Sequence, residues 1–308
     1  MPATTKMSST NNVGKAFSPI ERLPSEVKML IFTHFTDLED VTCLRVTSRS
    51  FDAAWRLYPG SIVRGTMQQL AGSAETLRLV AMAVESSRVS SSDKSAVESI
   101  MGQYIDQGEI PESFFTQSNF SAVGAITGAG SNLVSLYVGH RDNRMLRSLL
   151  RIEIAKNLFH DTRPDMYINF DTLYPELEEK YWRSYSAKYL GDLSRSQEIL
   201  SYGLGQAIRT AGECPEDQYS QCECAQFPKD EDRLKVWLGH SQQAGLVSLG
   251  TWALSDRIPQ LPFNPYHREN RSHHGLTGYS FRAFANDEFP ETIIEIATKV
   301  TQSVRVKL

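Results

Sequence analysis

Three cysteines lie close together in the second half of the chain and are the first residues to consider for chemistry. Cys214, Cys222 and Cys224 follow a C-x7-C-x-C spacing, which lacks the C-x2-C pair that structural zinc sites favour. A fourth ligand would have to come from elsewhere, and His240 is the nearest histidine. We interpret the three residues as free thiols in a polar loop, with a zinc site as the alternative.

Histidine and glycine patterns predict neither a catalytic centre nor a phosphate loop. His267, His273 and His274 lie in a polar segment without an HExxH pattern, so we interpret them as exposed side chains. The glycines between residues 118 and 140 form neither G-x-G-x-x-G after a strand nor Gly-Lys-Ser/Thr, and they predict close helix packing instead. We therefore expect no catalytic residue and no cofactor.

An arginine-rich face is the remaining candidate for binding chemistry. Residues 143–160 predict a helix on which Arg144, Arg147 and Arg151 lie beside an apolar stripe. Pairing with acidic neighbours such as Glu153 is the favoured interpretation. Recognition of an acidic or phosphorylated partner is the alternative.

Composition places the chain among ordinary globular proteins. Its 308 residues are 41% hydrophobic and 22% charged, with a net charge of −4, which favours no nucleic-acid partner. No apolar run approaches the roughly 18 residues that a membrane span requires, and residues 1–17 lack the apolar core of a signal peptide. We therefore expect a protein of the cytoplasm or nucleus whose four cysteines are reduced.

Residues 23–58 are the most informative stretch, and they predict three short helices. Pro24 lies near the start of the first helix, where proline is tolerated. An apolar stripe with helical spacing consists of Leu23, Val27, Leu30, Ile31 and His34. Met29 and Phe32 point to the opposite side of the same helix. A unit this small cannot readily cover both faces, and an uncovered apolar face predicts a partner or a second domain.

The second and third helices follow from caps and spacing. Asp37 is placed to cap the second helix, and Thr47 or Ser48 to cap the third. Apolar positions continue along both helices at Leu38, Val41 and Leu44, then at Phe51, Ala54, Trp55 and Tyr58. Cys43 in the second helix is expected to be a small core residue.

These residues resemble the F-box, and most closely the box of fungal proteins with a long helical region after it. The matching positions are Leu23-Pro24, Glu26-Val27, Leu30-Ile31, Phe35, Asp37-Leu38, Val41, Leu44-Arg45 and Ser48-Arg49-x-Phe51. The resemblance covers residues 19–58. Phe35 stands where leucine is more usual, and Thr47 where valine often precedes the Ser-Arg pair.

The resemblance implies a non-catalytic adaptor. An F-box docks on the Skp-family linker of a cullin–RING (SCF) ubiquitin ligase, while the rest of the chain recruits a protein target. The residues that the resemblance assigns to the partner face are Leu23, Pro24, Val27, Leu30, Ile31, Phe35, Leu38, Val41, Leu44 and Phe51. The sequence does not separate those that face the partner from those that face the core.

The fold expected for the whole chain is all-α, an N-terminal three-helix F-box followed by an irregular multi-helix domain. We divide it into a tail at 1–17, the box at 18–60 and a target-binding region at 61–308, with a serine-rich break near residue 90 as a further boundary. Ser73, either Asp93 or Ser92, and Pro175 have the residue types expected at helix starts. Residues 167–174 have some strand character, and no solenoid or propeller repeat is present.

Two other functions remain open. One is a helical scaffold outside ubiquitin ligases, whose first helices only look like the box. The other is an all-α enzyme, although paired carboxylates such as Glu178 and Glu179 have the spacing of a solvated helix face. Co-purification with the linker distinguishes the adaptor from the scaffold, and a polar pocket with convergent titratable groups would favour the enzyme.

Overall fold

A computed structural model of the chain describes residues 18–35, 38–160, 172–185 and 245–254, together with 192, 193, 195, 196, 198–200, 202 and 203. Within these residues the fold is all-helical and contains no strand, as the sequence predicts. The helices are α1 (Ser25–Thr33), α2 (Leu38–Thr47), α3 (Arg49–Leu57), α4 (Pro59–Ala71), α5 (Ala74–Ser86), α6 (Lys94–Met101), α7 (Gln117–Val138), α8 (Asn143–Phe159), α9 (Pro175–Arg183) and α10 (Leu246–Leu254). Short 3₁₀ turns precede α1 and α7, at Pro19–Arg22 and Glu112–Phe114, and one π turn at Gly102–Asp106 extends α6.

Several predicted features lie outside the described residues. They are the N-terminal tail, the cap at Asp37, most of the strand-like segment at 167–174, the cysteine loop with Cys214, Cys222 and Cys224, the loop with His267, His273 and His274, and the C-terminal helix at 290–304.

The chain divides into two compact units, Met1–Thr66 and Met67–Leu308. The division falls inside α4, whereas the sequence places the end of the box at residue 60. The serine-rich segment near residue 90 lies within the second unit and connects α5 to α6.

Aromatic packing forms the core of the first unit, where α1 and α2 both pack on α3. Phe32 of α1 is fully buried and meets the rings of Phe51 and Trp55 edge to face, at centroid distances of 5.6 and 5.8 Å. Such edge-to-face pairs add to the stabilisation from buried area. Arg45 of α2 covers the Trp55 ring at 4.4 Å and pairs with Asp52.

Close contacts join α1 to α4 within the same unit. Thr66 donates its hydroxyl to the backbone carbonyl of Phe32 at 3.2 Å. Gly65 faces the side chain of Thr33 so closely that a Cβ atom at this position would overlap it. Absence of a side chain at Gly65 is therefore what allows the two helices to approach.

In the second unit, α5 is the central helix. Nine of its side chains are buried, and it packs on α7 and α8. Ser73 accepts a hydrogen bond from the Thr76 backbone N–H at 3.1 Å, and Asp93 caps α6 through the Ala96 N–H at 3.1 Å. Both predicted caps are confirmed, as is the start of α9 at Pro175.

The glycine-rich segment is a single long helix, α7, that contains no charged residue. Its close packing is confirmed at Gly130, where a Cβ atom would lie 2.5 Å from a methyl group of Leu146. At Gly250 of α10, a Cβ atom would lie 2.6 Å from the Cβ of Ala129. Gly124 and Gly128, by contrast, face open space.

Candidate partner-binding site

The apolar stripe of α1 lies on the outside of the first unit. Pro24 is exposed, and the side chains of Val27 and Leu30 are 38% and 54% exposed. Phe32, which the sequence places on the opposite side of the helix, has no exposed surface. The short helix therefore directs one apolar side inward and leaves the other in contact with solvent.

The residues that the resemblance assigns to the partner face differ in how far they are buried. Leu23, Ile31, Phe35 and Leu44 are half-buried. Leu38 begins α2, and its side chain lies outside the described part of the structure.

Two of the assigned residues need correction. Val41 and Phe51 are each only 1% exposed. A side chain enclosed to this extent cannot touch another chain, so both belong to the core of the first unit. Both side chains are enclosed because α1 and α2 pack on α3. The ring of Phe51 on α3 meets the ring of Phe32 on α1.

More apolar surface lies on the other two helices. Val46 of α2 is 77% exposed and Leu57 of α3 is 64% exposed. Cys43 is exposed as well, which corrects the expectation that it fills the core. Val41 and the half-buried Arg45 are one helical turn apart and lie on the side of α2 that faces the core.

Polar contacts fix the start of α1. Lys28 is buried and donates its ammonium group to the backbone carbonyl of Glu21 at 2.8 Å. The hydroxyl of Ser48, at the start of α3, donates to the Glu21 carboxylate at 3.2 Å. Tyr58 donates to the Glu26 carboxylate at 3.1 Å, and this hydrogen bond raises the pKa of the Tyr58 phenol. These contacts hold α1 so that Val27 and Leu30 face outward.

In the second unit, the predicted arginine face pairs with acidic residues outside α8. Arg144 forms a bidentate pair with Asp192, and Arg147 and Arg151 both approach Glu75 of α5. The interpretation as ion pairs is confirmed, but the suggested partner Glu153 pairs with Lys156 instead. Sequence reasoning missed Glu75 because it lies 76 positions before Arg151.

An aromatic and carboxylate cluster joins α8 to α9. Glu178 is fully buried and accepts from the indole N–H of Trp182 at 3.1 Å, with His160 Nε2 at 3.4 Å from the same oxygen. This corrects the expectation of a solvated Glu178–Glu179 pair, since only Glu179 is exposed. His160 is also buried, so these contacts tie the end of α8 to α9.

Tyrosines pack around the same helices. The hydroxyl of Tyr181 donates to the backbone carbonyl of Arg151 at 2.9 Å, and the Arg151 guanidinium lies 4.5 Å from the centre of the Tyr185 ring. Burial raises the pKa of both phenols, while the positive charge of Arg151 opposes this rise. Both tyrosines are therefore neutral packing residues at ordinary pH.

Metal sites and membrane-spanning helices are both absent from the part of the chain that the structure describes. No group of three or more histidine, cysteine, aspartate or glutamate side chains there is placed to hold a metal ion. None of the helices described is both long enough and apolar enough to cross a bilayer. Comparison with family models, with curated proteins and with solved structures finds no match to this chain.

Proposed function

We propose that the chain is an F-box adaptor that binds the Skp-family linker of a cullin–RING (SCF) ubiquitin ligase through α1. The helical unit that follows captures a protein target. The observation that carries the proposal is the exposed stripe formed by Pro24, Val27 and Leu30, on a helix whose core position is filled by Phe32.

Energetics support a partner for this stripe. Complete burial of one valine or leucine side chain contributes about 1.5–3 kcal/mol. Because Val27 and Leu30 begin partly exposed, a partner that covers them gains a part of this energy from each. Half-buried Leu23 and Ile31 extend the same surface.

The proposed adaptor acts through proximity and performs no chemistry of its own. Holding a target next to the ubiquitin-transfer machinery raises the effective concentration of the target there. Val41 and Phe51 serve this function indirectly, because they lock the three helices in the arrangement that presents α1.

The test is binding of the full chain to the purified linker, with Leu30→Asp as the disruptive variant. Because Leu30 is exposed, the free protein should lose no more than about 0.5 kcal/mol of stability. In the complex, a carboxylate would be buried in an apolar contact, and we expect affinity to fall by about a hundredfold or more. Circular dichroism of the free variant checks that it folds.

Val46→Asp is the matched control. It makes a similar change at an exposed apolar position of α2 that the resemblance does not assign to the partner. We expect this variant to bind as the natural chain does. Failure of the natural chain to bind the linker would overturn the adaptor proposal in favour of a helical scaffold. Equal losses of affinity in Leu30→Asp and Val46→Asp would show that α1 is not the docking surface.

A further inference from the structure

The two residues that bound α3 both form hydrogen bonds at the start of α1. Ser48 precedes the first residue of α3, and Tyr58 follows its last residue. Ser48 donates its hydroxyl group to the carboxylate of Glu21, in the turn before α1. Tyr58 donates its hydroxyl group to the carboxylate of Glu26, within α1. Both ends of one helix are therefore attached to the beginning of another.

Ser48 has the position of a helix cap, yet its hydroxyl group is used elsewhere. A serine at this position usually accepts a hydrogen bond from a backbone N–H two or three residues later. Among the described residues, no backbone N–H of α3 donates to the side chain of Ser48. The hydroxyl group lies 3.2 Å from the Glu21 carboxylate and 3.1 Å from the hydroxyl group of Ser50. Ser48 therefore attaches the segment before α1 instead of capping its own helix.

Lys28 extends this attachment into α1 itself. Its side chain is buried, and its ammonium group donates to the backbone carbonyl of Glu21 at 2.8 Å. The carboxylate of Glu21 also accepts from the backbone N–H of Ser18 at 3.2 Å. Through Glu21, the start of α3 is therefore connected to Lys28 of α1, while the end of α3 is connected to Glu26.

Glu26 and Lys28 lie on opposite sides of α1. Consecutive residues of an α-helix are about 100° apart around its axis, so these two positions are separated by about 200°. Val27 lies between them, and its side chain and that of Leu30 are both exposed. A helix that is attached on both sides resists rotation about its axis. The two attachments therefore fix the direction in which Val27 and Leu30 face.

We propose that Ser48 and Tyr58 are positioning residues for docking of the linker on α1. Neither is among the residues that the resemblance assigns to the partner face, and both act through the glutamates that they hold. Phe32 secures the inward side of α1, and the two hydrogen bonds restrict rotation around that contact. The inference rests on the proposed function, because it concerns how the docking surface is presented to the linker.

A positioning residue and a contact residue affect binding kinetics differently. Loss of a positioning hydrogen bond lets α1 adopt orientations that do not bind. The binding-competent fraction of the protein then falls, and the association rate falls with it. Loss of a direct contact mainly raises the dissociation rate of the complex.

The test is the kinetics of binding between the full chain and the purified linker. We expect Ser48→Ala/Tyr58→Phe to associate about tenfold more slowly, because loss of a hydrogen bond to a charged group shifts an equilibrium by about this factor. Its dissociation rate should be nearly unchanged. Leu30→Ala removes an exposed contact residue and should instead dissociate faster.

Two further variants serve as controls. Tyr137→Phe removes a hydrogen bond from tyrosine to glutamate in the second unit, where Tyr137 donates to Glu198 at 2.6 Å, and should bind the linker as the natural chain does. Ser48→Thr keeps the hydroxyl group and should keep the natural association rate. If Ser48→Ala proves unstable, Tyr58→Phe alone should still slow association, since the bond from Tyr58 to Glu26 is exposed and its loss leaves the core intact.

Amide exchange of residues 25–33 in the free chain tests the same hydrogen bonds without the linker. Exchange there should be faster in Ser48→Ala/Tyr58→Phe than in the natural chain, because α1 opens more often. Tyr137→Phe should leave it unchanged. Circular dichroism checks that all the variants fold.

The outcomes distinguish this inference from the adaptor proposal. If the natural chain binds the linker and Ser48→Ala/Tyr58→Phe associates as fast, the positioning role is overturned and the adaptor proposal stands. A rise in the dissociation rate alone would show that Ser48 and Tyr58 touch the linker, and an equal effect of Tyr137→Phe would show a general loss of stability; either result also overturns the positioning role. Failure of the natural chain to bind would overturn both proposals.

Discussion

The carboxylate of Glu153, on α8, accepts a hydrogen bond from the backbone N–H of Leu246, the first residue of α10, at 3.0 Å. Lys156, itself buried, donates to the same carboxylate at 2.6 Å. The first N–H groups of a helix have no partner within it. One carboxylate therefore caps a helix 93 positions away and neutralises a buried ammonium group.

Glu153→Gln should loosen the attachment of α10. The variant leaves Lys156 without its charged partner, and hydrogen bonds to charged groups contribute about 1.5–3 kcal/mol. We expect a loss of stability of that order in denaturant unfolding, with faster amide exchange in residues 246–254. Glu98→Gln is the control, since Glu98 pairs with Lys94 on the surface. Unchanged exchange in α10 would contradict the capping role of Glu153.

Phe32→Ala should unfold the first unit far more readily than Leu30→Ala does. Phe32 is fully buried between two aromatic rings, and truncation of a buried phenylalanine costs about 3–5 kcal/mol. Leu30 is exposed, so its truncation should change stability by no more than about 0.5 kcal/mol. Comparable losses of stability for the two variants in denaturant unfolding would contradict the burial of Phe32 and the exposure of Leu30.

Gly65→Val should force α4 away from α1. The added side chain overlaps Thr33, and overpacking of this kind costs about 1–3 kcal/mol. Thermal unfolding of Gly65→Ala and of the double variant Gly65→Ala/Thr33→Ala measures the contact specifically. We expect the second change to restore part of the stability that the first removes. If the changes in stability from the substitutions at Gly65 and Thr33 simply add, the two positions are not in contact.

Alkaline pH should destabilise the second unit. Burial raises the pKa values of Tyr104, Tyr181 and Tyr185. The unfolded chain therefore releases its phenolic protons first, near pH 10. Stability should be complete below about pH 10 and should fall as pH rises further. Denaturant unfolding across this range, followed by ultraviolet absorbance of the phenolate, tests the sign. Tyr104→Phe should make the decline less steep, and a stability that does not change with pH would contradict the prediction.

Local signals explain what the sequence could predict of the fold. Ser73, Asp93 and Pro175 mark helix starts through their own side chains and their nearest neighbours, so a short window of residues contains the information. The all-α class follows from the same signals, repeated along the chain.

Orientation is harder to predict than helix content. Leu30 and Phe32 are both large and apolar, and the spacing along α1 cannot tell which side meets a neighbouring helix. The position of α3 decides this, because Phe51 and Trp55 approach Phe32. Likewise, Arg151 has the nearby acidic residue Glu153 in its own helix but pairs with Glu75 of α5. Such pairings depend on how helices pack, which no short window contains.

The contact between Ala129 and Gly250 restricts how the sequence of this protein can vary. A larger side chain at either position would push α7 and α10 apart, because the Cβ of Ala129 already occupies the space where a Cβ of Gly250 would lie. Homologues that keep this helix pair should carry small residues at both positions, or substitutions that vary together. The two positions thus form a signature by which diverged members of the same lineage can be recognised.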